Sequence, residues 1–112
     1  MTGAPHRPTT EMWAPPGASQ DGIDLTTPPG PPRAPFEMSL VTIEPHQVTP
    51  EHGHASHELW LISAGGGVLT YDGGSTCVGP GDVVYFEPWK THQVRNDREA
   101  PLRFFSVWWP SE

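Results

Sequence analysis

The sequence predicts an all-β protein, a sandwich or barrel of short, mostly antiparallel strands. Three observations carry that expectation. No segment keeps an apolar helical repeat with start and stop signals. Short runs rich in β-branched and aromatic residues follow one another from Phe36 to Trp109. Glycine-containing turns separate those runs at even intervals, which suits hairpin connections.

The strands can be taken in order. Met38 to Ile43 is apolar and β-branched. Glu58 to Ser63 is apolar on both faces, as expected for a strand between two layers. Gly65-Gly66-Gly67 interrupts it. Val68 to Tyr71 forms the next strand, and Asp72-Gly73 is a tight hairpin signal because both central positions take positive φ. Thr76 to Val78 is the short return strand, closed by the turn Gly79-Pro80-Gly81-Asp82. Val83 to Glu87 and Gln93 to Asn96 follow. Leu102 to Trp109 is too aromatic for a solvated edge and reads as core or as a dimer contact.

Residues 1–35 differ in kind. They hold nine of the fifteen prolines. Proline blocks both helix and ladder pairing, so this stretch reads as an irregular Pro/Gly-rich arm. Met12-Trp13 and Ile23-Asp24-Leu25 are its isolated apolar anchors, suited to wrapping its own barrel or a neighbour's. The folded unit is then residues 36–112, small enough that a metal or a dimer partner would add useful stability.

Charge and cysteine usage exclude several classes. The net charge is −7 with histidine neutral. That argues against nucleic acid, which needs a basic face, and against an anionic membrane surface. No stretch is apolar enough for a membrane span or a signal peptide. Cys77 is the single cysteine, so no intrachain disulfide can form, which fits a cytoplasmic location. Cys77 itself reads as a small strand residue.

The chemistry lies in the histidines. His52, His54 and Glu58 fall within one short stretch, and His92 follows after the β-rich interval. Imidazole and carboxylate hold divalent first-row metals while leaving positions open. Positions 52, 54 and 58 share parity, so an extended chain would point all three to one side. His57 has the opposite parity and reads as a surface or interface residue. His46 and His6 stand alone and read as surface.

The stretch His52-Gly53-His54, Glu58 and Gly65 resembles the first signature of the cupin superfamily, and Gly81-Asp82, His92 and Asn96 resemble the second. The similarity covers residues 52–96 and extends loosely to 38–109. It implies a small antiparallel jelly-roll barrel with a metal inside, held by His52, His54, Glu58 and His92. Three positions depart from the family pattern. His46 stands at a glycine of the first motif. Glu87 and Trp89 stand at a proline and a glycine of the second. A bulky residue in a glycine position implies that the turn at Trp89 needs no positive φ. Glu87 is left to face either cavity or solvent.

Three imidazoles and one carboxylate leave two positions of an octahedron for a bidentate substrate, or for a substrate plus dioxygen. The set suits Fe2+, Mn2+, Ni2+, Co2+ or Zn2+. Glu58 can remain a ligand or swing off as a catalytic base. Trp60 and Ile62 share parity with Glu58 and are the leading wall positions for a small-molecule substrate, with Tyr85, Asn96 and Trp108 as further substrate-binding candidates. Phe86, Val94, Phe104 and Ser106 also belong to the candidate wall.

These features support a metal-dependent enzyme, first a dioxygenase and next an isomerase, epimerase, lyase or cyclase. A second class is a solute-binding module, because His54, Glu58-Leu59 and Gly65-Gly66-Gly67 also resemble the sugar-sensing domain of AraC-type regulators. The sequence contains no helix-turn-helix pattern to accompany it. A storage or scaffold role is the third class, which the intact ligand set disfavours. The aromatic last strand suggests a homodimer.

Overall fold

The computed structural model describes residues 10–13, 18–25 and 34–111. Nine strands are present among them: β1 (Thr10–Trp13), β2 (Ser19–Ile23), β3 (Glu37–Ile43), β4 (His57–Ala64), β5 (Gly67–Tyr71), β6 (Gly74–Val78), β7 (Val83–Phe86), β8 (His92–Arg95) and β9 (Leu102–Trp109). They form a six-stranded sheet in the order β1-β2-β3-β9-β4-β7 and a three-stranded sheet in the order β6-β5-β8. All the ladders are antiparallel. The all-β expectation holds, and every strand expected between Met38 and Trp109 is present within a residue or two of its expected ends.

Side-chain alternation builds the interior. In β3, Ser39, Val41 and Ile43 point inward; in β9, Leu102, Phe104 and Ser106 do so. Trp60 and Ile62 of β4 join them, and the smaller sheet contributes Leu69, Val78 and Val94. Trp60 stacks on Phe104 with ring centroids 4.0 Å apart and meets Phe86 edge-on at 4.7 Å. Such aromatic contacts add directional preference to ordinary burial. Asn96 is fully buried but satisfied. It donates to the carbonyls of Ile43 and Ala100 and accepts from the Arg98 amide. That network ties the β8–β9 connection to the end of β3.

The turns show where backbone geometry is decisive. Asp72 and Gly73 have φ of 48° and 86°, as the hairpin signal requires. Gly65 has φ of 74°, and a Cβ there would lie 2.2 Å from the Pro101 carbonyl oxygen. The two family glycine positions filled by larger residues are different. His46 has φ of 64° and Trp89 has φ of 67°. The expectation that the turn at Trp89 needs no positive φ is therefore corrected. The left-handed geometry is retained although the glycine is not, and the backbone contacts explain it. The Trp89 amide donates to the His54 carbonyl at 2.7 Å, and the His46 amide donates to the Asn96 carbonyl at 2.8 Å. Glu87 faces solvent, 3.5 Å from Lys90.

Two further expectations change. The Pro-rich arm is not irregular throughout, because β1 and β2 extend the larger sheet from the edge of β3. The tandem prolines at 15–16, 28–29 and 31–32 lie outside the described residues. The expected burial of β4 on both faces also fails. Its outward Leu61 is 39% exposed, with Val83 and Tyr85 exposed beside it on β7.

Candidate metal centre

The site forms where the open end of the larger sheet meets the start of β8. Glu58 stands on the inner face of β4, two residues before Trp60. Its Oε1 lies 2.8 Å from His54 Nε2 and 3.3 Å from His92 Nε2. One ligand atom from each of His54, Glu58 and His92 falls within 4.8 Å of the others. His92 is 5% exposed, Glu58 12% and His54 37%, so the cluster is closed on the core side and open on the other.

Strand parity explains only part of this convergence. Glu58 points inward by alternation, as Trp60 and Ile62 do. His54 does not belong to a strand; the chain bends at Ala55-Ser56 before β4 begins. The His54 ring is set locally: Nδ1 donates to the Ser56 carbonyl at 3.1 Å, which turns Nε2 toward Glu58. His92 arrives from the opposite sheet. Its backbone pairs with His52 through reciprocal amide–carbonyl bonds of 3.0 and 2.8 Å. That pairing brings the two segments together.

Glu58 is the most heavily restrained group. Oε2 accepts from Trp60 Nε1 at 2.7 Å and from Ser106 Oγ. Ser106 lies on β9 directly across from Trp60 in the ladder. Burial raises the Glu58 pKa, but the bonds from His92, Ser106 and Trp60 and the charge of His92 outweigh it, holding the carboxyl at about 2. The site therefore presents a carboxylate across the ordinary pH range.

The donor set fits a divalent ion. Bonds of about 2.1 Å in an octahedron place neighbouring ligands about 3 Å apart, and the observed 2.8 and 3.3 Å bracket that spacing. His92 Nδ1 is buried without a hydrogen-bond partner among the described residues. Among the described residues, the polar contact of that ring is thus made on the Glu58 side.

A cavity of about 360 Å³ opens above the cluster. His52, His54, Glu58, Trp60, His92, Ser106 and Trp108 are all on its wall. His52 is exposed, and its ring centroid lies 6.3 Å from that of His92. It is beside the three-residue cluster rather than within it. Of the other expected wall residues, Trp60 and Trp108 line the cavity. Ile62 is packed in the core beneath it. Asn96 is occupied by the backbone bonds described above. Tyr85 is on the outer face, where its hydroxyl lies 2.6 Å from His57 Nδ1, and His57 stacks on Trp109. Among the secondary candidates, Phe104 and Ser106 line the cavity and Ser106 also donates to Glu58, whereas Phe86 and Val94 are packed in the core.

Sequence reasoning missed Ala18 and Gln20, which reach the cavity from the arm. Gln20 pairs with Val41 in the ladder, and its Nε2 donates to Ser39 Oγ at 2.7 Å. No local signal in a Pro-rich stretch announces that docking. Thr49 and Pro50, also on the wall, lie in an irregular segment with no motif of their own.

Comparisons with known proteins agree with this fold. A cupin conserved barrel domain protein from Salinispora arenicola CNS-205 superposes with a TM-score of 0.79 and 28% identity, covering 98% of this chain and 92% of that one. A predicted oxalate decarboxylase from Thermotoga maritima shares the fold, with a TM-score of 0.73 and 20% identity over 93% of this chain and 94% of that one. Gentisate 1,2 dioxygenase 1 of Aquipseudomonas alcaligenes is 38% identical over 64 residues, 56% of this chain. The chain spans only 18% of the length of that relative. The family model described as Cupin domain matches residues 39–108, a span containing most of β3, all of β4 to β8, nearly all of β9 and every residue of the cluster, and the chain belongs to that family.

Proposed function

We propose that this protein is a metal-dependent cupin enzyme acting on a small oxygenated organic molecule, most simply in a dioxygenase-type reaction. The observation that carries this reading is the convergence of His54, Glu58 and His92 at the floor of a cavity large enough for a small substrate. The similarity to a gentisate dioxygenase over 64 residues supports the oxygenase choice.

His54, Glu58 and His92 would hold the ion, with His52 as the fourth ligand after a modest reorientation of its exposed ring. A divalent ion held there would supply Lewis acidity and open positions for substrate and dioxygen. Trp108 presents aromatic surface that would orient a flat substrate, and the nearly buried Trp60 closes the cavity behind it. Phe104 and Val41 keep the inner wall dry. The apolar outer surface around Leu61, Val83 and Tyr85 supports a homodimer, and the lone Cys77 is compatible with a cytoplasmic protein.

The test is oxygen consumption by the Fe2+-loaded protein with gentisate and related dihydroxy-aromatic acids as probes. Stoichiometric uptake with one of them, lost in His92→Ala, is the expected result. Turnover of a probe without oxygen uptake would favour a non-redox isomerase, epimerase, lyase or cyclase. Tight binding of a solute by metal-free protein, with no turnover, would favour the sensor reading.

A further inference from the structure

We infer that Trp60 and Ser106 are positioning residues that fix Glu58 as a one-oxygen metal ligand and prevent it from leaving the ion to serve as a base. The inference rests on the metal reading of the site and assigns the two carboxylate oxygens different tasks. Oε1 faces His54 and His92, at 2.8 and 3.3 Å. Oε2 faces away from them and receives two donors, the Trp60 indole N–H at 2.7 Å and the Ser106 hydroxyl.

Neither donor is free to follow a moving carboxylate. Trp60 is 4% exposed, stacked on Phe104 and blocked at its edge by Phe86. Its indole N–H has Glu58 as its hydrogen-bond partner, so a swing of the carboxylate would leave a buried donor unsatisfied. Ser106 is also buried, and the β4–β9 ladder fixes it across from Trp60. Rotation of Glu58 off the ion would break two charge-assisted hydrogen bonds in a dry environment, where such bonds are strongest. The arrangement also denies Oε2 to the metal, which keeps one more position open for substrate. Outer partners of this kind set ligand orientation and metal affinity together.

The experiment uses Mn2+ as the probe, with Trp60→Phe, Ser106→Ala and Ser106→Thr compared with the parent protein. Trp60→Phe keeps an aromatic ring in the stack and removes only the N–H; Ser106→Thr keeps the hydroxyl. Two readouts are taken: the Mn2+ dissociation constant by calorimetry, and the carboxylate stretches in metal-minus-apo infrared difference spectra. Parent and Ser106→Thr are expected to show the wide splitting of one-oxygen coordination. Trp60→Phe and Ser106→Ala are expected to weaken Mn2+ binding by roughly 10- to 100-fold and to narrow the splitting as Oε2 reaches the ion. Folding is checked by the near-ultraviolet circular dichroism of each variant. Parent-like affinity and splitting in both Trp60→Phe and Ser106→Ala would overturn the positioning role while leaving the metal site standing. A parent protein that takes up none of Mn2+, Fe2+ or Zn2+ would overturn the metal reading and this inference with it.

Discussion

The two faces of β4 carry alternate residues of one short strand and have opposite character. On the inner face, Glu58, Trp60 and Ile62 sit among buried partners, and the polar atoms of Glu58 and Trp60 are satisfied by specific donors or acceptors. On the outer face, His57 also bonds a hydroxyl and stacks on an indole, but the group is exposed to water. The interactions are similar in kind and differ in environment. A hydrogen bond between desolvated groups fixes geometry, whereas an exposed one competes with water and contributes little. The chemistry of this fold is therefore concentrated on one side of the strand.

The contrast can be broken by mutation. Trp60→Ala should have the largest effect, because it removes a buried indole from its stack on Phe104. A loss of about 3–5 kcal/mol is expected, read from denaturant unfolding. Leu61→Ala, one residue away on the outer face, should cost less than about 1 kcal/mol. Similar costs for the two would mean that the outer face is buried in solution, which is what a dimer across it would do.

Acid sharpens the same comparison. Glu58 is held at about 2, below its ordinary value of 4.5. Its folded-state pKa is depressed, so its contribution to stability is present above pH 4.5 and is lost as the pH falls from there toward 2. For the metal-free protein that contribution is on the order of 3 kcal/mol. Glu58→Gln should flatten this part of the stability–pH curve. An unchanged acid limb in Glu58→Gln would contradict the network around Oε1 and Oε2.

Two smaller effects follow. Trp89 is 71% exposed and sits at φ of 67°, a region costly for a side chain with a Cβ. Trp89→Gly should stabilise the protein by about 1 kcal/mol through relief of that strain, seen as a rise of a few degrees in Tm; a fall would contradict the strain assigned to this position. Tyr85→Phe removes one outer-face hydrogen bond and should change stability by no more than about 0.5 kcal/mol.

Much of this was legible in the chain. The β-branched runs and the Asp72-Gly73 turn located seven strands, because strand pairing in a small barrel obeys local alternation and local turn chemistry. Glu58, Trp60 and Ile62 followed from parity for the same reason. The motif marks His54 as a ligand position, yet it reaches Glu58 through a bend at Ala55-Ser56 that strand alternation does not provide. Tyr85 faces outward, because facing on a short strand depends on where its ladder begins; Asn96 is buried, but its amide is taken up by the backbone of Ile43, Ala100 and Arg98. Gln20 was invisible, since its place on the cavity wall comes from β2 docking along β3. Trp89 taught the reverse lesson: backbone hydrogen bonding to His54 imposed a left-handed turn that the residue itself disfavours.

The central claim is that His54, Glu58 and His92 form a metal site. Its most direct test is elemental analysis of protein purified without chelator or added ions, parent beside His92→Ala. The account predicts about one divalent transition metal per chain in the parent and almost none in a His92→Ala variant that keeps its β-sheet circular dichroism. A parent without metal that added Fe2+, Mn2+ or Zn2+ fails to load, or a variant that retains full occupancy, would contradict it.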